Sequence, residues 1–201
     1  QGLKQSAVLY RQALAIDAAY AAAWVGLADN YRNQVTEGFL QSDEGFSLAR
    51  TATNRALAID PDNSLAHASL GWIALLYDSD LAAAAQHFER ALTLAPGDPD
   101  ILLGAAWLAL VLGRMDNAID ITTYANARDP MNPNGHLNAC FTYYFAKRPD
   151  EAIASCRTAL ALSPDLISAQ SPIGMAMLLK GDREAALVAI QQEPSEAYRL
   201  S

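Results

Sequence analysis

The stretch Ala-Ala-Gln-His-Phe-Glu-Arg-Ala-Leu-Thr-Leu-Ala-Pro at residues 84–96 decides the fold, because its pattern returns along the chain. Its opening small residue recurs as Ala49, Ala84, Ala118, Ala152 and Ala186, and its closing proline as Pro61, Pro96, Pro130 and Pro164. The proline spacings are 35, 34 and 34 residues. A period of about 34 residues is typical of a repeat built from one helix–turn–helix unit.

Two short motifs inside each period carry a family resemblance. A first-helix motif combines an aromatic residue, Leu, a small residue and Tyr, as in Trp24, Leu27, Ala28 and Tyr31. A second-helix motif combines small, aromatic and small residues, as in Ala84, Phe88 and Ala91. With these motifs the chain resembles the tetratricopeptide repeat (TPR) family. The resemblance implies an all-α fold without strands, a right-handed superhelical solenoid of antiparallel helix pairs.

The repeats predict a single array over residues 1–201. An opening half-repeat at 1–20 precedes repeats at about 21–63, 64–98, 99–132, 133–166 and 167–193, and 194–201 reads as a truncated next helix. Turns inside the repeats are expected at Gly113, Lys147 and Gly181, spaced by 34. Residues 34–44 predict a lengthened helix end and a loop, and Pro172 is expected to kink or delay its helix.

Composition narrows the class of function. The chain has 52% hydrophobic and 18% charged residues, as folded proteins do, with a net charge of -8. Nucleic acid and anionic membranes are therefore disfavoured as partners, since both attract clustered Lys and Arg. No run reaches the roughly 18 apolar residues that cross a bilayer. A cytoplasmic location and a place within a longer protein are expected.

No catalytic or metal-binding motif is recognisable in the sequence. The sequence contains no phosphate loop, no metalloprotease motif and no nucleophile elbow. We therefore predict no catalytic residue, no cofactor and no metal, and a chain that is not an enzyme. His67 and His136 lie at equivalent repeat positions and are expected to pack between helices, with His87 near the surface. Cys140 and Cys156 are expected to be near neighbours with free thiols, because paired helices usually lie too far apart for a disulfide.

A ladder of apolar side chains on the first helices is the candidate binding groove. Trp72, Trp107, Phe141 and Met175 recur at spacings of 35, 34 and 34. Their four helices carry no Lys or Arg before Lys180, which argues against a carboxylate clamp. The predicted groove residues are Leu65, Trp72, Leu103, Trp107, Leu110, Leu137, Phe141, Tyr144 and Met175. The alternative is that these residues pack between adjacent first helices.

The expected partner is a protein or peptide with an apolar or amphipathic segment, including a second copy of the chain or another domain of the same protein. Ala66–Gly71 and Gln192–Leu200 also resemble the TPR region of bacterial nucleotide cyclases and winged-helix transcription regulators. This local resemblance implies a regulatory or sensory module of a bacterial signalling protein. The alternative is an accessory region of an enzyme such as a nucleotide cyclase, with its catalytic domain outside these residues.

Overall fold

The computed structural model of the chain describes residues 2–166 and 169–193, and helices dominate them. The helices of this part are α1 (Gly2–Ile16), α2 (Ala21–Thr36), α3 (Ser42–Ile59), α4 (Ser64–Ile73), α5 (Leu81–Leu94), α6 (Pro99–Val111), α7 (Met115–Arg128), α8 (Pro133–Phe145), α9 (Pro149–Leu162), α10 (Gln170–Leu179) and α11 (Arg183–Gln191). No strand occurs among these residues. The all-α repeat fold is confirmed, while the predicted truncated helix at 194–201 lies outside the described residues.

The chain forms two compact units, Gln1–Gly104 (unit 1) and Ala105–Ser201 (unit 2). In unit 1, α2 packs on α3 and α4 on α5, and the first helices α2 and α4 are neighbours. In unit 2, α8 packs on α9 and α10 on α11, and the first helices α8 and α10 are neighbours. Each unit is thus built from the helix pairs that the repeat predicts. The single array and its repeat boundaries stay a prediction.

Phe88, the aromatic residue of the second-helix motif, is the largest fully buried side chain among the described residues. Its side chain is 1% exposed, and the flanking Ala84 and Ala91 are fully buried. A Cβ at Gly104 would lie 2.1 Å from the Phe88 ring, and one at Gly71 would lie 3.0 Å away. The ring therefore fills space that only glycine leaves open. This explains why the small residue of the first-helix motif is glycine at Gly71.

Unit 2 contains a buried disulfide between Cys140 of α8 and Cys156 of α9, so the prediction of free thiols was wrong. The prediction that the two residues are near neighbours is confirmed. Their Cα atoms are 5.2 Å apart, inside the range that a disulfide spans. Ala152 and Ala159 of α9 are fully buried in the same core cluster, and their small side chains leave room for the two helix backbones to approach each other.

The turns after the first helices share one backbone conformation. Gly113, Lys147 and Gly181 have φ values of 72°, 58° and 83°, which confirms the predicted turn positions. Ser79 belongs to the same series, with φ of 56°, 34 residues before Gly113. The residue after each turn donates its backbone N–H back into the preceding helix, as Arg148 does to the Tyr143 carbonyl. A left-handed residue at this position closes the helix end.

A π-helical turn at Ala74–Asp78 explains the one repeat spacing of 35. From His67 to the turn residue Ser79 the chain has one more residue than from Leu102 to Gly113. The Asp80 N–H donates to the Ala74 carbonyl, one residue further back than the equivalent bonds in unit 2. The additional residue is absorbed as a bulge in the helix, which keeps the following helix in register.

Acidic residues lie at the start of α3 and α5. Asp43 and Glu44 lie in the first turn of α3, and the Asp80 carboxylate caps α5 by accepting from the Ala83 N–H. The Asp78 carboxylate, before the turn, accepts from Arg50. The lengthened helix end and the loop predicted over residues 34–44 are confirmed, since α2 continues to Thr36 and residues 37–41 form the loop before α3.

The start of α10 shows how Pro172 is accommodated. The helix begins at Gln170, which places Pro172 in the first turn, where a missing N–H costs no helical bond. The expected delay of the helix is confirmed. The Glu193 side chain is 1% exposed, and its Oε2 accepts from the backbone N–H groups of Gln170 and Ser171. This carboxylate satisfies helix donors that no neighbouring side chain caps.

Candidate partner-binding surface

The nine predicted groove residues divide between the units and differ in exposure. Leu65, Trp72 and Leu103 belong to unit 1, and the other six belong to unit 2. Trp72, Leu110 and Leu137 are buried, each 8% exposed, whereas the remaining six are partly exposed. Trp107, Phe141 and Tyr144 therefore reach solvent, whereas Trp72 is almost wholly covered. Assignment of these residues to a binding groove stays a prediction.

Unit 2 carries a contiguous group of aromatic rings, named here the aromatic surface: Trp107, Phe141, Tyr144 and Phe145. The Trp107 ring centroid lies 6.4 Å from that of Phe141 and 5.9 Å from that of Phe145. The Tyr144 and Phe145 rings are 5.3 Å apart and meet edge to face. Such spacings are favourable for aromatic pairs, so the rings fix one another in place.

Phe145 is the member that sequence reasoning missed, although it is 44% exposed. It lies two residues before the turn residue Lys147, and the equivalent positions hold Val111 and Leu179, which are 54% and 48% exposed. The spacing of 34 residues was therefore a usable signal. These apolar side chains at the ends of α6, α8 and α10 are all exposed to solvent.

The first-helix face of unit 1 is charged instead. The Arg32 guanidinium lies 5.1 Å from the Trp72 ring centroid and 3.5 Å from an Asp29 carboxylate oxygen. Asp29 and Arg32 occupy on α2 the repeat positions that Trp72 and Leu75 occupy on α4. Sequence reasoning missed them because α2 was not counted among the helices of the ladder.

The positive charge of Arg32 only partly offsets the desolvation of the Asp29 and Asp100 carboxylates. Loss of surrounding water raises the pKa of Asp29, Arg32 opposes this, and the charge of Asp100 raises it further. Burial also raises the pKa of Asp100, and the neighbouring Asp98 adds to the effect. At both Asp29 and Asp100, the attraction of Arg32 is thus smaller than the cost of desolvation, and the pKa is raised.

The histidines fit structural roles. The Nε2 atoms of His67 and His136 lie 3.0 and 2.9 Å from the carbonyls of Pro61 and Pro130, so both rings are held at the repeat boundary. His87 lies 6.1 Å from His67, and burial lowers its pKa, with smaller contributions from His67 and Arg50. Across residues 2–166 and 169–193, no three His, Cys, Asp or Glu side chains are grouped to hold a metal ion.

Within the same described part, every helix is too short or too polar to span a bilayer.

Two family models match the chain, both described as tetratricopeptide repeat. One covers residues 40–99 and the other residues 75–140, so together they span 40–140. No functionally curated protein matches the sequence.

Solved structures with the same fold share little sequence with the chain. YrrB, titled a TPR protein with an unusual peptide-binding site, is 17% identical with a TM-score of 0.57, covering 95% of both chains. A chain of the APC/C hetero-tetramer Cut9–Hcn1 is 18% identical with a TM-score of 0.75, covering 98% of this chain. Human IFIT1, solved as a dimer with m7Gppp-AAAA, is 16% identical with a TM-score of 0.81, covering 94% of this chain.

The chain spans 38% of the Cut9–Hcn1 chain and 46% of the IFIT1 chain. At these identities the likeness concerns the fold.

Proposed function

Since the chain belongs to the tetratricopeptide repeat family, a family of protein–protein interaction modules, we propose that it binds an apolar or amphipathic segment of a partner protein. The aromatic surface of unit 2 is the proposed contact. The observation that carries the proposal is its contiguity, since four rings touch in sequence while remaining partly open to solvent. An amphipathic helix presents side chains of matching chemistry.

The free energy gained by burying an aromatic side chain indicates that more than one ring takes part in partner binding. A fully covered aromatic side chain removes on the order of 150–250 Å² from water, which corresponds to roughly 4–6 kcal/mol. Half of this remains for a partner when the ring is already half covered. Association costs an estimated 4–15 kcal/mol, so one ring is insufficient and three support binding of about micromolar strength.

Charge supports a protein partner over nucleic acid. The IFIT1 structure contains a capped oligonucleotide, but this chain has a net charge of -8 and adjacent basic residues only at Lys147 and Arg148. Phosphate backbones are bound by clustered Lys and Arg, and the same requirement holds for anionic membranes. The proposed module takes neither and carries no catalytic group of its own.

The proposed role is that of a regulatory or sensory part of a larger bacterial signalling protein, in keeping with the local resemblance of residues 66–71. The second candidate is an accessory region of a nucleotide cyclase whose catalytic domain lies elsewhere. A second copy of the chain or another domain of the same protein are further partners for the aromatic surface. The repeat scaffold is generally non-catalytic and is compatible with each role.

The compartment is linked to the disulfide. A cytoplasmic location, as expected in the sequence analysis, places Cys140 and Cys156 in a reducing environment. The Cys140–Cys156 bond favours an oxidising compartment instead. Alkylation of the protein in intact cells, followed by mass spectrometry, distinguishes the two, because trapped thiols indicate the cytoplasm and an intact bond contradicts it.

Binding of a labelled amphipathic peptide tests the proposed surface. The probe contains leucines at i, i+3, i+4 and i+7 with glutamines elsewhere, and its affinity is measured by fluorescence anisotropy. Trp107→Ala and Phe145→Ala should each weaken binding by more than about 1 kcal/mol, or roughly fivefold, because both remove a contact ring.

Tyr124→Ala is the matched control for these variants, since Tyr124 is an exposed aromatic residue on α7, 48% accessible. It should leave the affinity unchanged. Circular dichroism verifies that each variant keeps its helical content. If Phe145→Ala and Trp107→Ala bind the peptide as the wild type does, the aromatic surface is not the binding site.

A further inference from the structure

We propose that His67 of α4 and His87 of α5 together bind a divalent transition-metal ion that prefers imidazole ligands, with Zn²⁺ as the probe. The two residues lie on paired helices of unit 1, and their ring centroids are 6.1 Å apart. No short metal-binding motif joins them in the sequence, so it is the packing of α4 on α5 that brings the rings together. This inference does not depend on the proposed function.

The hydrogen bond of His67 determines which of its ring nitrogens is free to bind a metal. The Nε2 atom lies 3.0 Å from the carbonyl oxygen of Pro61. A carbonyl oxygen only accepts, so Nε2 carries the proton and donates it, and Nδ1 keeps its lone pair. Histidines that ligate metals commonly donate their other ring N–H to a backbone carbonyl in this way, which fixes the tautomer and the orientation of the ring.

The lone pair of His67 Nδ1 has no partner among the described residues, although the atom is buried. Buried polar atoms normally have a partner, and a lone pair is satisfied either by a proton donor or by a metal ion. The neighbouring His87 does not act as the proton donor, because its ring makes no hydrogen bond within residues 2–166 and 169–193. A metal ion shared by the two rings accepts a lone pair from each.

The separation of the rings fits one shared metal ion. With Zn–N bonds of roughly 2.0–2.1 Å and the radius of each ring added, the centroids of two imidazoles on one Zn²⁺ lie about 5–6.5 Å apart. The measured 6.1 Å lies within this range. No group of three His, Cys, Asp or Glu side chains occurs in the described part of the chain, so water completes the coordination. The partly exposed His87 ring leaves the site open to solvent.

The surrounding charges are compatible with a cation at this place. Burial, more than any neighbouring charge, lowers the pKa of His87, so its ring is neutral near pH 7, the form that binds metals. The nearby Arg50 guanidinium is held by both carboxylate oxygens of Asp78, at 2.7 and 2.6 Å, which offsets its charge. The net charge of the chain, -8, also attracts cations.

Titration of the full chain with Zn²⁺, followed by calorimetry, tests the inference. The wild type should bind one ion per chain, and His67→Gln and His87→Gln should each weaken binding by at least about tenfold. His87→Gln removes a ring that makes no hydrogen bond, so this variant is expected to fold normally. In NMR spectra of the imidazole nitrogens, Zn²⁺ should shift the Nδ1 signal of His67 far more than its Nε2 signal. Zn²⁺ should also raise the thermal unfolding temperature of the wild type, because the ion binds only the folded chain.

His136→Gln is the matched control. His136 occupies the repeat position of His67, and its Nε2 lies 2.9 Å from the Pro130 carbonyl, but the α9 position that corresponds to His87 holds Ser155. This variant should bind Zn²⁺ as the wild type does. Wild-type affinity in both His67→Gln and His87→Gln overturns the inference, as does an equal loss in His136→Gln. Failure of the Leu-Gln peptide at the aromatic surface is a separate result and bears on the proposed function alone.

Discussion

Units 1 and 2 are built from the same repeat but differ in how their cores are filled and in the side chains on their first-helix faces. In the core of unit 1, the Phe88 ring fills the space beside Gly71 and Gly104, whereas unit 2 joins α8 to α9 through the Cys140–Cys156 disulfide. On their first-helix faces, unit 1 has charged groups around Trp72 and unit 2 has contiguous aromatic rings.

The comparison teaches that the repeat constrains size more strongly than chemistry. Positions between paired helices must be filled at close-packed density, and either an aromatic ring against glycine or a disulfide among alanines achieves this. Positions on the first-helix face have no such constraint, because their outer side is open. They are therefore free to differ between the units.

The largest loss of stability is expected from a substitution of Phe88 in unit 1. Phe88→Ala should lower the free energy of unfolding by about 3–5 kcal/mol, since it removes a buried ring and leaves a cavity against Gly71 and Gly104. Hydrogen exchange measured by mass spectrometry should show faster exchange in α4 and α5. Phe145→Ala, which removes an exposed ring, is the control and should leave stability almost unchanged. If Phe88→Ala lowers the free energy of unfolding by less than about 1 kcal/mol, the Phe88 ring contributes little to the stability of unit 1.

The corresponding change in unit 2 removes the disulfide. Cys140→Ala/Cys156→Ala should cost about 3 kcal/mol, because the bond joins residues 16 apart and restricts the unfolded chain. Urea unfolding of the wild type with and without reductant provides a second measurement of the same quantity. The variant should be insensitive to reductant. If the wild type is equally insensitive, the bond does not stabilise unit 2 and the contrast between the two centres fails.

The smallest expected effect concerns a feature that the units share. Lys147 and Ser79 adopt left-handed φ values that glycine adopts without strain. Lys147→Gly in unit 2 and Ser79→Gly in unit 1 should each raise stability by up to about 1 kcal/mol, measured by thermal unfolding. Lys147→Ala is the control, because alanine keeps the strain and should bring no gain. Destabilisation by both glycine variants would contradict the idea that strain at these turns is relieved.

The sequence by itself determined the fold and most of its local detail. Regular spacing of alanines, prolines and turn residues is sufficient for the helix pairs, because each repeat must bury the same face with the same period. The turn at Lys147 was predictable despite its lack of glycine, since its place in the 34-residue series is unambiguous. The spacing of 35 between Pro61 and Pro96 was visible too, although its cause, the π-helical turn, was not.

Only the tertiary structure decided which side chains meet. Whether Cys140 and Cys156 bond depends on how closely α8 approaches α9, and this distance is set by the small residues around both cysteines rather than by their spacing. The capping of α10 by Glu193 joins residues more than twenty positions apart. Likewise, Arg32 meets Trp72 because α2 and α4 pack side by side. Period fixes which face of a helix is buried, but packing distances fix which atoms come within reach of one another.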